Sequence, residues 1–136
     1  MSHNPRVTVA ESGRGRYQNS VTIGTFQFIA DEPVSAGGDG AGPNPYDYLC
    51  AALGSCTSIT LRMYADRKQW PLEQIEVEVN HRRLDGRDHF DRMLTLRGPL
   101  DDAQRRRLMD IADRCPVHRS LEGSAMITTE MFGVEP

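Results

Sequence analysis

The chain has 136 residues, 38% of them hydrophobic and 26% charged, with a formal net charge of −3 from 16 Lys+Arg against 19 Asp+Glu. That length and composition point to a single core-forming domain over residues 1–136 and argue against wholesale disorder. The charge balance argues against nonspecific nucleic-acid binding, which needs a strong positive excess. No run is suited to a bilayer; the longest uncharged one near the centre, Tyr48 to Leu61, is too short and too polar. The N-terminus lacks a signal peptide's apolar core, and Cys50, Cys56 and Cys115 are too few and odd in number for a disulfide framework. A cytoplasmic, reducing setting is expected.

In chain order, Val7 and Val9, then Val21 and Ile23, then Phe26 and Phe28, alternate with polar residues and predict three short strands. Ser12-Gly13-Arg14-Gly15-Arg16 reads as a hairpin connection, and Gly24 as a turn or bulge. Residues 31–43, with four glycines and two prolines, sustain neither regular period and read as a mobile connection, or as a lid over a nearby site. No Lys-Ser/Thr follows these glycines, so a phosphate cradle is not supported.

A long helix follows. Asn44 suits the N-cap, Pro45 the first helical position and Asp47 the third, as in a capping box. The helix is expected to run to Lys68, about 36 Å at 1.5 Å per residue, before Trp70-Pro71 ends it. Its first half, Leu49 to Cys56, is apolar or small all round, which predicts burial on every side. So small a domain rarely encloses such a helix, and a homodimer packed around it is inferred.

Ile75, Val77 and Val79 predict a half-buried strand, Asp85-Gly86 a two-residue hairpin turn, and residues 88–97 its return strand with Phe90, Leu94 and Leu96. A second helix begins after Asp101 with Gln104 at its third position; Leu108, Ile111, Ala112 and Cys115 share one face. Ala125 to Phe132 reads as a last strand. Segregated strands and helices predict an α+β fold with antiparallel sheet. His81 is read as closing the core edge, Arg105, Arg106 and Arg107 as a solvated face, and Met63, Met93, Met109, Met126 and Met131 as core filler.

Cys50 and Cys56 lie six apart in one helix, about 9 Å at helical rise, too far for a disulfide and off a common face. That geometry also makes them a poor zinc pair. Cys115 is the only candidate partner for either. Pro116 suits the start of a short helix with Cys115 as N-cap, a place that favours a thiolate; Cys115-Pro-Val-His118 also reads as half a metal site without a second half. Cys56, among small residues of a buried helix, reads from composition as an inert small hydrophobe.

Two motifs carry a resemblance. GPNPYDYLCAALGSCTS, residues 42–58, places a cysteine twelve residues after Asn44, and CPVHRSLEG begins at Cys115. Both resemble the OsmC/Ohr family, the osmotically inducible and organic-hydroperoxide-resistance proteins, and the order of elements matches over nearly the whole chain. The run TLRMYADRKQWPL resembles the less characterised OsmC-like branch more than the well-studied peroxidases. The resemblance implies antiparallel sheets around a long central helix in an intertwined homodimer with sites at the interface. It implies a peroxidatic Cys56, a resolving Cys115 and an arginine from the N-terminal hairpin, Arg14 or Arg16, with Arg14 favoured because it follows the glycine. The implied substrate is an organic hydroperoxide, reduced without a cofactor, with a dithiol protein or small dithiol as reductant. The glutamate that steadies the arginine in the peroxidases falls on Tyr46; Asp47 is the nearest carboxylate and is also the predicted cap residue. That departure leaves two rivals: a non-catalytic dimer binding a small apolar ligand, and a thiol sensor without sustained turnover.

Overall fold

The structure is a computed structural model describing residues 6–123 and 125–133. In chain order it forms β1 (Val7–Glu11), β2 (Asn19–Ile23), β3 (Phe26–Ala30), α1 (Pro45–Lys68), β4 (Gln74–Leu84), β5 (Arg87–Arg97), α2 (Asp102–Ala112) and α3 (Pro116–Glu122). The class is α+β, with one sheet ordered β1-β2-β3 and another pairing β4 with β5. The chain divides into two compact units, one from residues 1–51 and 80–91, the other from residues 52–79 and 92–136.

In the first unit, β1, β2 and β3 form an antiparallel meander in which Val7 opposes Ile23 and Ile23 opposes Phe26, while Val9 opposes Val21 and Val21 opposes Phe28. Residues directly opposite one another share a face, so these six make one apolar sheet face. Only Val21 is buried on it; Val9 stays 58% exposed and Phe26 66%. The following loop is organised, contrary to the expected mobile connection. Asp31 is buried, and its carboxylate accepts the backbone N–H of Glu32 at 2.7 Å, Ala41 at 3.0 Å and Asp39 at 3.3 Å. The Ala41 N–H above all, with those of Glu32 and Asp39, holds this carboxyl below the usual carboxylate range against the opposing effect of burial. A single 3₁₀ turn, Val34–Ala36, lies within the loop. Gly38 and Gly42 lie so close to the Glu32 and Ile29 carbonyls that a side chain at either would collide with backbone.

In the second unit, Leu61, Tyr64, Ala65 and Leu72 pack with Leu108, Ile111 and Ala112, flanked by Trp70, Ile75, Leu94, Leu96 and Leu100. Helix α1 buries one stripe, Leu53, Thr57, Leu61, Tyr64 and Ala65, and is not buried all round; Leu49, Ile59 and Met63 remain exposed. Its ends follow the sequence signals. Asn44 and Asp47 exchange backbone-to-side-chain bonds at 2.9 and 2.8 Å, while Gln69 turns left-handed and lets the Trp70 N–H reach the Ala65 carbonyl at 2.9 Å. Asp101 and Gln104 form the same kind of box at the start of α2. Asp85 and Gly86 both take positive φ, 53° and 75°, as a type I′ hairpin turn requires.

Three further expectations are corrected. Residues 125–133 form no strand: an extended segment needs a neighbouring ladder, and the described part of this chain supplies none. The five methionines are surface residues, Met63, Met93 and Met109 being more than half exposed and Met126 and Met131 nearly fully so. The arginines of α2 are not all solvated: Arg105 donates to the Leu96 and Gly98 carbonyls at 2.7 and 3.0 Å, and Arg107 to the Tyr64 hydroxyl at 3.0 Å. Arg106 alone of the three is exposed as expected. No helix among the described residues is long and apolar enough to cross a membrane.

Candidate functional site

The second unit carries a polar cluster around a thiol. Cys115 is fully buried and sits at the N-cap of α3, where its Sγ accepts the His118 backbone N–H at 3.4 Å. Pro116 at the first helical position fixes this geometry, since it lacks the N–H that would otherwise need a partner. The Thr57 hydroxyl lies 3.7 Å from Cys115 Sγ. Thr57 is itself fully buried and follows Cys56 directly in α1; Cys56 is half-buried and in no disulfide. The turn of helix that carries Cys56 therefore touches Cys115 through its next residue.

An arginine that the sequence reading passed over completes the cluster. Arg92, on β5, donates from Nη1 to Thr57 Oγ1 at 3.0 Å and from Nη2 to Asp113 Oδ1 at 3.0 Å and His118 Nδ1 at 3.1 Å. Its side chain is only 12% exposed. A guanidinium can only donate, so His118 Nδ1 is the acceptor and the ring proton sits on Nε2, which donates to Glu122 Oε2 at 3.0 Å. The signal for Arg92 was present in the alternation of β5. Phe90, Leu94 and Leu96 define the inward phase, and Arg92 occupies the position missing from it.

The remaining expected site residues lie in the first unit. Arg14 and Arg16 sit in the β1–β2 connection, closed by Ser12, whose N–H and hydroxyl donate to Gln18. Arg14 is exposed, its backbone N–H on Ser12 Oγ, with no side-chain partner found among the described residues. Arg16 lies over the Tyr17 ring at 5.4 Å and, with Glu11, Tyr17, Asn19 and Asp31, lines an open cavity of about 550 Å³. Asp47 is engaged in the capping box with Asn44. Tyr46 stacks on His81 with ring centres 3.9 Å apart and planes within 7°, and His81 in turn meets Phe90 and places Nε2 2.9 Å from Asp88. His81 thus belongs to an aromatic stack with a carboxylate behind it. Burial first, and the Asp47 charge second, push the Cys50 thiol up, which makes it a poor nucleophile at neutral pH. Among the described residues, no group of three His, Cys, Asp or Glu side chains is placed to hold a metal ion.

The comparisons with known proteins bear on the family and the fold. A family model described as OsmC-like protein matches residues 37–130. A search of curated protein sequences finds no match. The fold is similar to that of an OsmC-like protein from Mycoplasma pneumoniae, with a TM-score of 0.74 at 20% identity, covering 90% of each chain. It is also similar to an organic hydroperoxide resistance protein OsmC from Legionella pneumophila, with a TM-score of 0.64 at 19% identity over 90% of this chain and 92% of the other. The organic hydroperoxide resistance protein OhrB of Bacillus subtilis aligns with a TM-score of 0.62 at 23% identity over 89% and 92%.

Proposed function

Because the chain belongs to the OsmC family, matched over residues 37–130, we propose that it is a cysteine-based peroxidase that reduces organic hydroperoxides to alcohols. The observation that carries this reading is the contact between Thr57 and Cys115, which joins the helix turn of Cys56 to the second thiol motif. Cys56 attacks the O–O bond, releases the alcohol and becomes a sulfenic acid. Cys115 condenses with it, forming a disulfide and releasing water, and an external dithiol restores both thiols. A free thiol near pKa 8.5 is only a few per cent thiolate at neutral pH, so a nearby cation raises the reactive fraction at most about thirtyfold. Arg14 or Arg16 supplies that cation and donates to the departing oxygen. No cofactor takes part.

A homodimer belongs to the same proposal. The uncovered apolar face of β1, β2 and β3, the exposed Ile59 and Met63 of α1 and the unpaired segment 125–133 all support a second copy as the missing cover. The setting is cytoplasmic, where a dithiol reductant is available.

One observation favours the non-catalytic reading. Asp47 is engaged at the helix start and Tyr46 in a stack, so neither is free to steady the hairpin arginine. Peptide mapping by mass spectrometry after one equivalent of an organic hydroperoxide, without reductant, decides between the two. A Cys56–Cys115 disulfide with Cys50 free is expected. Three reduced thiols beside a reacting control peroxidase would sink the enzyme and leave the ligand-binding dimer.

A further inference from the structure

The hydrogen bonds around Thr57 can be assigned one by one. Its Oγ1 has one proton and two lone pairs. Leu53 O, 2.7 Å away, can only accept, so the hydroxyl proton lies there. Arg92 Nη1 can only donate, and at 3.0 Å it occupies one lone pair. The remaining lone pair faces Cys115 Sγ at 3.7 Å, so the sulfur is the donor of that contact, as S–H. A lone pair of the same sulfur receives the His118 backbone N–H. At rest the cluster is thus arranged for a protonated Cys115.

Loss of the Cys115 proton reverses one bond only. The thiolate is an acceptor, and the Thr57 hydroxyl can meet it by rotating its proton from Leu53 O to Sγ. Leu53 O keeps the regular helical N–H four residues on, so the rotation leaves no carbonyl orphaned. Arg92 stays on Oγ1 throughout, fixed from behind by Asp113 and His118, and polarises the hydroxyl it holds.

We propose that Thr57, oriented by Arg92, is the positioning residue of Cys115: it accepts the resting S–H and turns to donate to the sulfur as negative charge develops there. This rests on the peroxidase reading above for its place in a reaction. In that reaction Cys115 sulfur bonds to the sulfenic sulfur of Cys56 and the S–O bond breaks. The Cys115 proton joins the departing hydroxide as water, and the sulfenic acid formed by the organic hydroperoxide is reduced to the disulfide level.

The test has a readout independent of turnover. In a Cys50→Ser/Cys56→Ser background, Cys115 gives the only S–H stretching band in the infrared. Thr57→Val, nearly isosteric, is expected to move that band to higher wavenumber, and Thr57→Ser to leave it in place. A band unmoved by Thr57→Val overturns the inference, as does a Thr57→Ser band displaced like that of valine, since packing and not the hydroxyl would then set it. With all cysteines present, single-turnover mixing with cumene hydroperoxide reads the role. Disulfide closure relative to sulfenic acid formation is expected to fall about tenfold or more in Thr57→Val, to recover in Thr57→Ser, and to fall in Arg92→Met. An unchanged ratio overturns the positioning role. If Cys56 of the unaltered chain is never oxidised, the peroxidase reading itself fails, and the infrared band alone still decides the hydrogen-bond assignment.

Discussion

The two units hold Arg92 and Arg14 differently. In the second, Arg92 is nearly buried and each of its terminal nitrogens has a named partner, beside a thiol with no solvent exposure. In the first, Arg14 reaches into solvent from a hairpin whose own sheet presents an uncovered apolar face. The second unit completes its polar cluster from within one chain. The first leaves most of the apolar face of its sheet exposed, and the second leaves Ile59 and Met63 of α1 exposed as well.

That contrast can be broken in four ways, in falling order of effect. The largest should come from the core of the second unit. Leu108 is fully buried, and Leu108→Ala is expected to lower unfolding stability by about 3 kcal/mol in urea titration. A loss under 1 kcal/mol would mean that this core is less closed than its burial implies. Next, Phe26→Asp puts a charge on the open sheet face and is expected to weaken dimer association about a hundredfold in sedimentation equilibrium, roughly 2.7 kcal/mol. Unaltered association would show that this face is not what a second copy covers.

Third, Tyr46→Glu restores a carboxylate at the position where the resemblance places the glutamate that steadies the hairpin arginine. If the departure at this position weakens the thiolate, the variant should speed Cys56 oxidation by about tenfold in stopped-flow mixing. A slower or equal rate would mean that Tyr46 does not limit the site. The smallest effect is local and concerns Asp31. Its carboxyl is held below the ordinary range in the folded chain, so its contribution is complete above the unfolded value near 3.9 and is lost as pH falls through the lower folded value. The amide resonances of Asp39 and Ala41 should titrate with that depressed midpoint, and in Asp31→Asn this titration should vanish.

Much of the chain's local structure was legible from short-range chemistry. The bounds of α1, both capping boxes, the Asp85-Gly86 turn and the N-cap position of Cys115 each depend on residues within a few positions of one another. What failed depends on distant neighbours. Residues 125–132 have the composition of a strand, but composition does not supply the adjacent ladder. The methionines are apolar, and apolarity alone does not say which faces a single chain covers. The ordering of residues 31–43 was hidden because one buried carboxylate, Asp31, stands in for the missing periodic hydrogen bonds. Arg92 was readable as a gap in the alternation of β5; a charge in an apolar phase invites a search for its partners. Those partners, Thr57, Asp113 and His118, come from three other stretches of chain and are not readable from spacing.

The placement of Arg92 also bears on how the hairpin finds its pairing. Strand side chains alternate between faces, so a slip of β5 by one residue would carry Met93 toward Thr57 and turn Arg92 outward to water. The apolar positions of β4 and β5 would resist such an error only by degree. The guanidinium adds to them, because only the observed register brings it to Thr57 on α1, Asp113 just after α2 and His118 on α3 together. The residue that orders the thiol is thereby also a mark of the correct pairing of β4 with β5.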